Sequence, residues 1–308
     1  MPPAWAERAR QPPQECEEKP VTVLVTGFGP FLALFPQNTS WLIASTLPAL
    51  LTPTATSPTP IHIHVHHSPV RVAYNAVTSL IPSLLPPNNP MNPRPDVILH
   101  IGLAAGRNFY TLEKGSHRRG YGAIPDVDEK KFDDEKADKR WPEAEFPPKL
   151  ETGFHTDHVL DRWRAGLAPS SKTPTPSRSD KVNGETSGEL ETAAIKEDEN
   201  QRQTDALNTP DVRNSSDAGN YMCGFIYYNS LAHYYSLDPG HLPVAFLHVP
   251  DLSGSKEKVD VGRDVTIALI RALVESRRTK GVGGRGSDSV ANKNDEGIRA
   301  GTDVNFAA

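Results

Sequence analysis

Three residues have the types and settings that acyl transfer requires. Cys223 stands in NYMCGFIYYNSLAHYY and is one of only two cysteines among 308 residues. Phe225, Tyr228, Ala232 and Tyr235 follow it at helical spacing, which puts the thiol at or near a helix N-terminus. Free N–H groups and the positive dipole end favour a thiolate there and stabilise a developing oxyanion. His248 stands next to last in the apolar run VAFLHV, toward the carboxyl end of a strand, where open α/β sheets bind ligands. A histidine there can take a thiol proton and return it to a leaving amine. Glu113, in YTLEK, is a carboxylate able to orient that imidazole.

Two of the three, and several other motifs, have a plainer reading. Free cysteine is a common core residue, and position alone favours that role for Cys223. YTLEK also reads as a solvated turn. His100, inside DVILHI, reads as a packed core histidine. IHIHVHH (residues 61–67) reads as a half-exposed strand rather than a metal site, because no further ligand falls at suitable spacing. GVGGRG at residues 281–286 matches a dinucleotide fingerprint by letter only, since it follows a charged helix end and not a strand.

The elements that must hold these residues alternate between strands and helices. VTVLVT (21–26), residues 61–67, 96–101 and 244–249 read as strands; 40–47, 72–85, 155–167 and 259–277 read as helices, the last with Val261, Val265, Leu269 and Leu273 on one face. GLAAGR (102–107) reads as a loop and residues 126–150 as a long, charged surface loop. The pattern implies a three-layer α/β/α sandwich around a mainly parallel or mixed sheet. It divides the chain into a disordered leader (1–20), one α/β domain (21–167 and 217–278), a disordered low-complexity insertion (168–216) and a disordered tail (279–308). Cys16 lies in the leader.

Composition narrows the function. Proline is high at 29 residues and apolar residues reach only 37%, so part of the chain is expected not to pack. A formal charge of −5 argues against nucleic-acid binding. No run approaches a membrane span, and the first residues lack the apolar core of a secretory signal, so a cytoplasmic protein is expected. Two cysteines exclude a disulfide framework or an all-cysteine zinc site.

The ordered set TGFGPF, NTSW, PDVILHIGLAAGR, YTLEK, IPD, AGNYMCGF and VAFLHVP resembles the motifs of the pyroglutamyl peptidase I family of cysteine peptidases. The resemblance covers about residues 21–126 and 150–275. It implies Cys223 as nucleophile, His248 as base and Glu113 as its orienting group. It further implies that Phe28, Phe31, Leu103, Ile124, Tyr221 and Met222 bind a pyroglutamyl ring, with no metal or organic cofactor, and that the substrates are peptides with N-terminal pyroglutamate. Leu103, Ala123 and Gly224 depart from the family's usual Gln, Arg and Asn, and Arg118 or Arg119 is a possible substitute for the missing arginine. Two other readings stay open: a diverged small-acyl amide hydrolase, and a non-catalytic binding protein.

Overall fold

Continuous β-branched and apolar runs are suited to strands buried on both faces, and they build the centre of the sheet. The structure, a computed structural model, describes residues 19–31, 36–91, 93–168 and 209–283. Its main sheet has seven strands: β1 (Val21–Gly27), β2 (Leu50–Leu51), β3 (Ile61–Val65), β4 (Val97–Leu103), β5 (Tyr110–Glu113), β8 (Val212–Ser215) and β9 (Val244–Val249), in the order β2-β3-β1-β4-β9-β5-β8. β3, β1, β4 and β9 run parallel, β2 and β5 run against their neighbours β3 and β9, and β8 is parallel to β5. A two-stranded ribbon joins β6 (Gly115–His117) to β7 (Lys149–Glu151).

Alternation along each central strand feeds two apolar layers. Val23, Val25, Leu99, Ile101 and Leu247 face one, shared with α1 (Thr39–Ala44), α4 (Thr156–Leu167) and α6 (Lys256–Lys280). Leu24, Ile98 and Phe246 face the other, shared with α2 (Tyr74–Leu84), α3 (Asp134–Arg140) and α5 (Met222–Leu237). This is the expected three-layer α/β/α fold with a mixed sheet. His100 is fully buried between the hydroxyls of Thr26 (2.7 Å) and Ser230 (2.8 Å), and burial pushes it down to about 3, so it is a neutral core link between sheet and α5.

Several expectations require correction. Residues 126–150 are not a surface loop: they contain α3 and the start of β7, and Phe132, Trp141 and Leu150 are buried. Their apolar residues are too widely spaced among charges to show a period. The segment 168–216 ends too late, because β8 lies within it; a four-residue edge strand pairs through its backbone and needs no apolar run. Residues 169–208, the leader with Cys16 and residues 284–308 lie outside the described residues. Residues 279–283 do not belong to a tail, since α6 runs to Lys280 and Val282 packs on the core. On α6, Val261 is exposed and Gly262 faces inward instead, because a Cβ there would meet Leu252 and Ile43 at 2.6 and 2.8 Å. α5 buries nearly its whole circumference rather than one face.

Candidate active site

The N-terminal loop is built by local hydrogen bonds. Asn38 caps α1 through Ser40 N–H (3.1 Å), and its side-chain amide donates to Gly29 O (2.9 Å). Ser40 Oγ accepts from Phe28 N–H (2.9 Å). Gly27 permits this closeness, because a Cβ there would lie 2.6 Å from Ser40 O. TGFGPF and NTSW are thus one unit, and it fixes Phe28 at the end of β1.

α5 opens with Tyr221 as its N-cap residue and no capping side chain, so Cys223 sits in the first turn among N–H groups without helical partners. Two hydroxyls tie this helix to the neighbouring strands: Tyr227 donates to Glu113 O (3.1 Å) and Ser116 to Gly224 O (2.8 Å). Gly224 touches Gly219 so closely that any Cβ would meet Gly219 O at 1.9 Å. The usual Asn would not fit this packing.

Sheet register supplies the other two residues. Thr111 stands opposite His248 across β5 and β9, and Glu113 opposite Phe246. Glu113 is completely buried, and His248 Nδ1 donates to its Oε1 at 2.8 Å. Cys223 faces the same imidazole and acts on its charge. The sequence-predicted Glu113, His248 and Cys223 are therefore brought together, and YTLEK is a buried strand followed by Lys114, not a solvated turn.

The charges support one another. Burial works against protonation of His248, yet the facing Cys223 and Glu113 outweigh it and raise the imidazole to about 9. Burial also opposes ionisation of Glu113; the hydrogen bond and charge of His248, with Ser215 and Arg107, overcome it and hold the carboxyl below its usual range. An imidazolium stabilised in this way is the counter-ion a thiolate needs.

The predicted ring-binding residues divide into two groups. Phe28, Phe31, Tyr221, Met222 and Cys223 belong to one apolar cluster. Ile124 lies beside it, with its carbonyl accepting from Tyr74 OH (3.1 Å) while Tyr221 OH donates to Pro125 O (3.3 Å). Leu103 is buried outside that cluster, paired in register with Val249 at the end of β4. Neither arginine replaces the one missing at the exposed Ala123. Arg118 is buried on Trp141 O and Glu143, and Arg119 is paired to Asp138.

Two residues escaped the sequence reading. Gly102, taken there as loop, lies in β4 directly under the thiol: a Cβ would sit 2.7 Å from both Cys223 Sγ and Phe246 Cζ. Arg107 donates to Glu113 Oε1 at 2.8 Å. Only their place within GLAAGR, just ahead of YTLEK, could have signalled either. A cavity of about 740 Å³ opens elsewhere, lined by Tyr74, Lys131, Lys139 and Arg140 among others; none of Glu113, Cys223 and His248 borders it. Among the described residues, no three His, Cys, Asp or Glu side chains gather as a metal cluster, and no helix is long and apolar enough to cross a membrane.

Comparison with known proteins agrees with this architecture. Residues 21–149 match the family model described as pyroglutamyl peptidase. Pyroglutamyl-peptidase 1 of Homo sapiens is 26% identical over 260 residues, covering 84% of this chain and 90% of the relative. The Rattus norvegicus protein of the same name is 25% identical over the same shares. Among solved structures, pyrrolidone carboxyl peptidase from Thermococcus litoralis aligns with a TM-score of 0.55 at 15% identity, over 84% of this chain and 96% of that one. A variant of the Pyrococcus furiosus enzyme gives 0.52 at 18% identity, over 83% and 97%. Family model and curated relatives both point to similarity with pyroglutamyl peptidases, and the solved structures share the fold.

Proposed function

We propose that this protein is a cysteine omega-peptidase that removes pyroglutamate from the N-terminus of peptides in the cytosol. The observation that carries the reading is the hydrogen bond from His248 to the buried Glu113, with Cys223, at the start of an uncapped helix, facing the same imidazole. Cys223 loses its proton to His248 and attacks the pyroglutamyl carbonyl. N–H groups of the first turn of α5 receive the oxyanion. As the C–N bond breaks, His248 gives its proton to the departing amine, leaving a thioester. His248 then takes a proton from water, the hydroxide attacks the thioester, and pyroglutamate leaves as the thiol is restored. Glu113 keeps the ring oriented and offsets the imidazolium charge at both stages.

Phe28, Phe31, Tyr221, Met222 and Ile124 suit an uncharged lactam, which needs apolar walls and a few backbone partners. Leu103 contributes through its backbone at the end of β4. The test is release of 7-amino-4-methylcoumarin from its pyroglutamyl amide. Cys16→Ser is expected to retain activity and Cys223→Ala to lose it, with the melting temperature below about pH 6.5 unchanged. Equal activity in both refutes the nucleophile assignment.

Ala123 supports a second reading, hydrolysis of another small acyl amide, because it is exposed and carries no basic group. A panel of aminoacyl coumarin amides separates the two.

A further inference from the structure

The Glu113 carboxylate is held by more than the imidazole. His248 Nδ1 reaches Oε1 at 2.8 Å; Arg107 Nη1 reaches the same oxygen at 2.8 Å and Thr111 Oγ1 at 2.7 Å. Thr111 closes a three-membered ring with its own 3.0 Å bond to Oε1. Arg107 comes from the loop between β4 and β5, and its side chain is 21% exposed where that of Glu113 is 0%. One hydrogen bond is enough for a carboxylate to orient an imidazole. A fixed cation on the same oxygen has two additional effects. It keeps the carboxylate ionised while His248 is neutral, and it pins the rotamer that Nδ1 must meet.

We infer that Arg107 is a positioning residue that fixes Glu113 Oε1 and keeps it charged, and so sets the pH range over which Cys223 and His248 work. This rests on the proposed roles of those two residues. Glu113 is faced by Arg107 and Thr111 from the β4–β5 segment, by His248 from β9, by Ser215 from β8 and by Tyr227 from α5, while Cys223 bears on His248. Among them only Arg107 carries a charge at every working pH. Its removal therefore raises the proton affinity of Glu113, and the carboxylate is neutralised at a higher pH than before.

The test uses a Cys16→Ser background, so that Cys223 is the one thiol. Two profiles are measured against pH in Arg107→Gln and Arg107→Lys: alkylation of Cys223 by iodoacetamide, and kcat/KM on the pyroglutamyl coumarin amide. Arg107→Gln is expected to move the acid limb of both profiles up by about one pH unit, the scale of a nearby opposite charge. It should also lower kcat about tenfold with little change in KM, consistent with a group acting through the general base. Arg107→Lys is expected to restore the limb and only part of the rate, because a flexible ammonium is not fixed in the plane that places Nη1 against both Thr111 and Glu113. An unmoved limb in Arg107→Gln, with any rate loss tracking the melting temperature, overturns the inference. Should that variant not fold, Arg107→Lys decides alone, and a wild-type rate in it overturns the inference. Alkylation needs no substrate, so an inactive wild-type protein would count against the proposed function while the limb shift still judges Arg107.

Discussion

Gly102 lies directly beneath the sulfur of Cys223, with no room for a methyl group: an added Cβ would stand 2.7 Å from Sγ. Gly102 is also the register partner of His248 across β4 and β9. The floor of the site is therefore a backbone, and its absent side chain is what lets thiol and imidazole meet. Gly102→Ala is expected to cost about 1–3 kcal/mol through overpacking. Activity should fall further than stability, because displacement of Sγ breaks the contact with His248. Near-wild-type turnover in a folded alanine variant would show that the thiol has room to spare.

Glu113→Gln keeps shape and removes charge. The imidazolium loses its counter-charge, and turnover is expected to drop roughly 100-fold or more, within the range of general acid–base contributions. Substrate binding should suffer less, and the loss should stay smaller than for Cys223→Ala. Steady-state kinetics of both variants, measured together, check this ordering.

His248 is raised to about 9 from an ordinary 6.5, so its share of folding stability is fully present below about 6.5 and is lost as pH rises through 9. Activity that depends on the imidazolium should decline through the same alkaline range. In Cys223→Ala one cause of the raised value is gone, so the alkaline fall in melting temperature should begin at lower pH. Identical alkaline limbs of melting temperature in wild type and variant would contradict the coupling.

His100 acts in the opposite sense. Its folded value is lowered to about 3, so the stability it contributes is present above about 6.5 and is lost as pH falls toward 3. The lowered Glu113 carboxyl adds to that acid loss below its ordinary 4.5. Replacing His100 by Gln, which does not titrate, is expected to lower stability at neutral pH and flatten its decline between pH 6.5 and 4.5. Urea midpoints at a series of pH values would test this.

Two deletions distinguish β8 from the chain before it. Replacing 169–208 by a short Gly/Ser linker leaves β8 and Ser215, and catalysis is expected to persist. Replacing 168–216 removes the strand that pairs with β5 residue by residue from Tyr110 to Glu113. That variant should lose activity and melt at least several degrees lower. Equal behaviour of the two would mean that β8 does not support the Glu113 strand.

The central strands were legible because both of their faces are buried, which writes a continuous apolar run; β9 matches VAFLHV residue for residue. α6 was legible by period, with the error at Val261 arising where a glycine, silent in any hydrophobic pattern, makes the closest contact. β5 and β8 were not legible. Four residues are too few to establish alternation, and their pairing is decided by partners distant in the chain. The same holds at the site. Cys223 and His248 announce themselves by type and by element ends, whereas Arg107 and Gly102 matter only through what the fold brings beside them.

Because β5 runs against β9, the two strands must be aligned to the residue for Glu113 to meet the imidazole. Adjacent side chains point to opposite faces, so a slip of one position would bring Leu112 or Lys114 to the His248 side and turn the carboxylate away. Such a chain would keep its helices, its sheet and most of its core, and its circular dichroism would be close to native. It would be inactive. The specific activity of a purified sample thus measures more than purity, since it counts the fraction of molecules whose sheet closed in the right alignment.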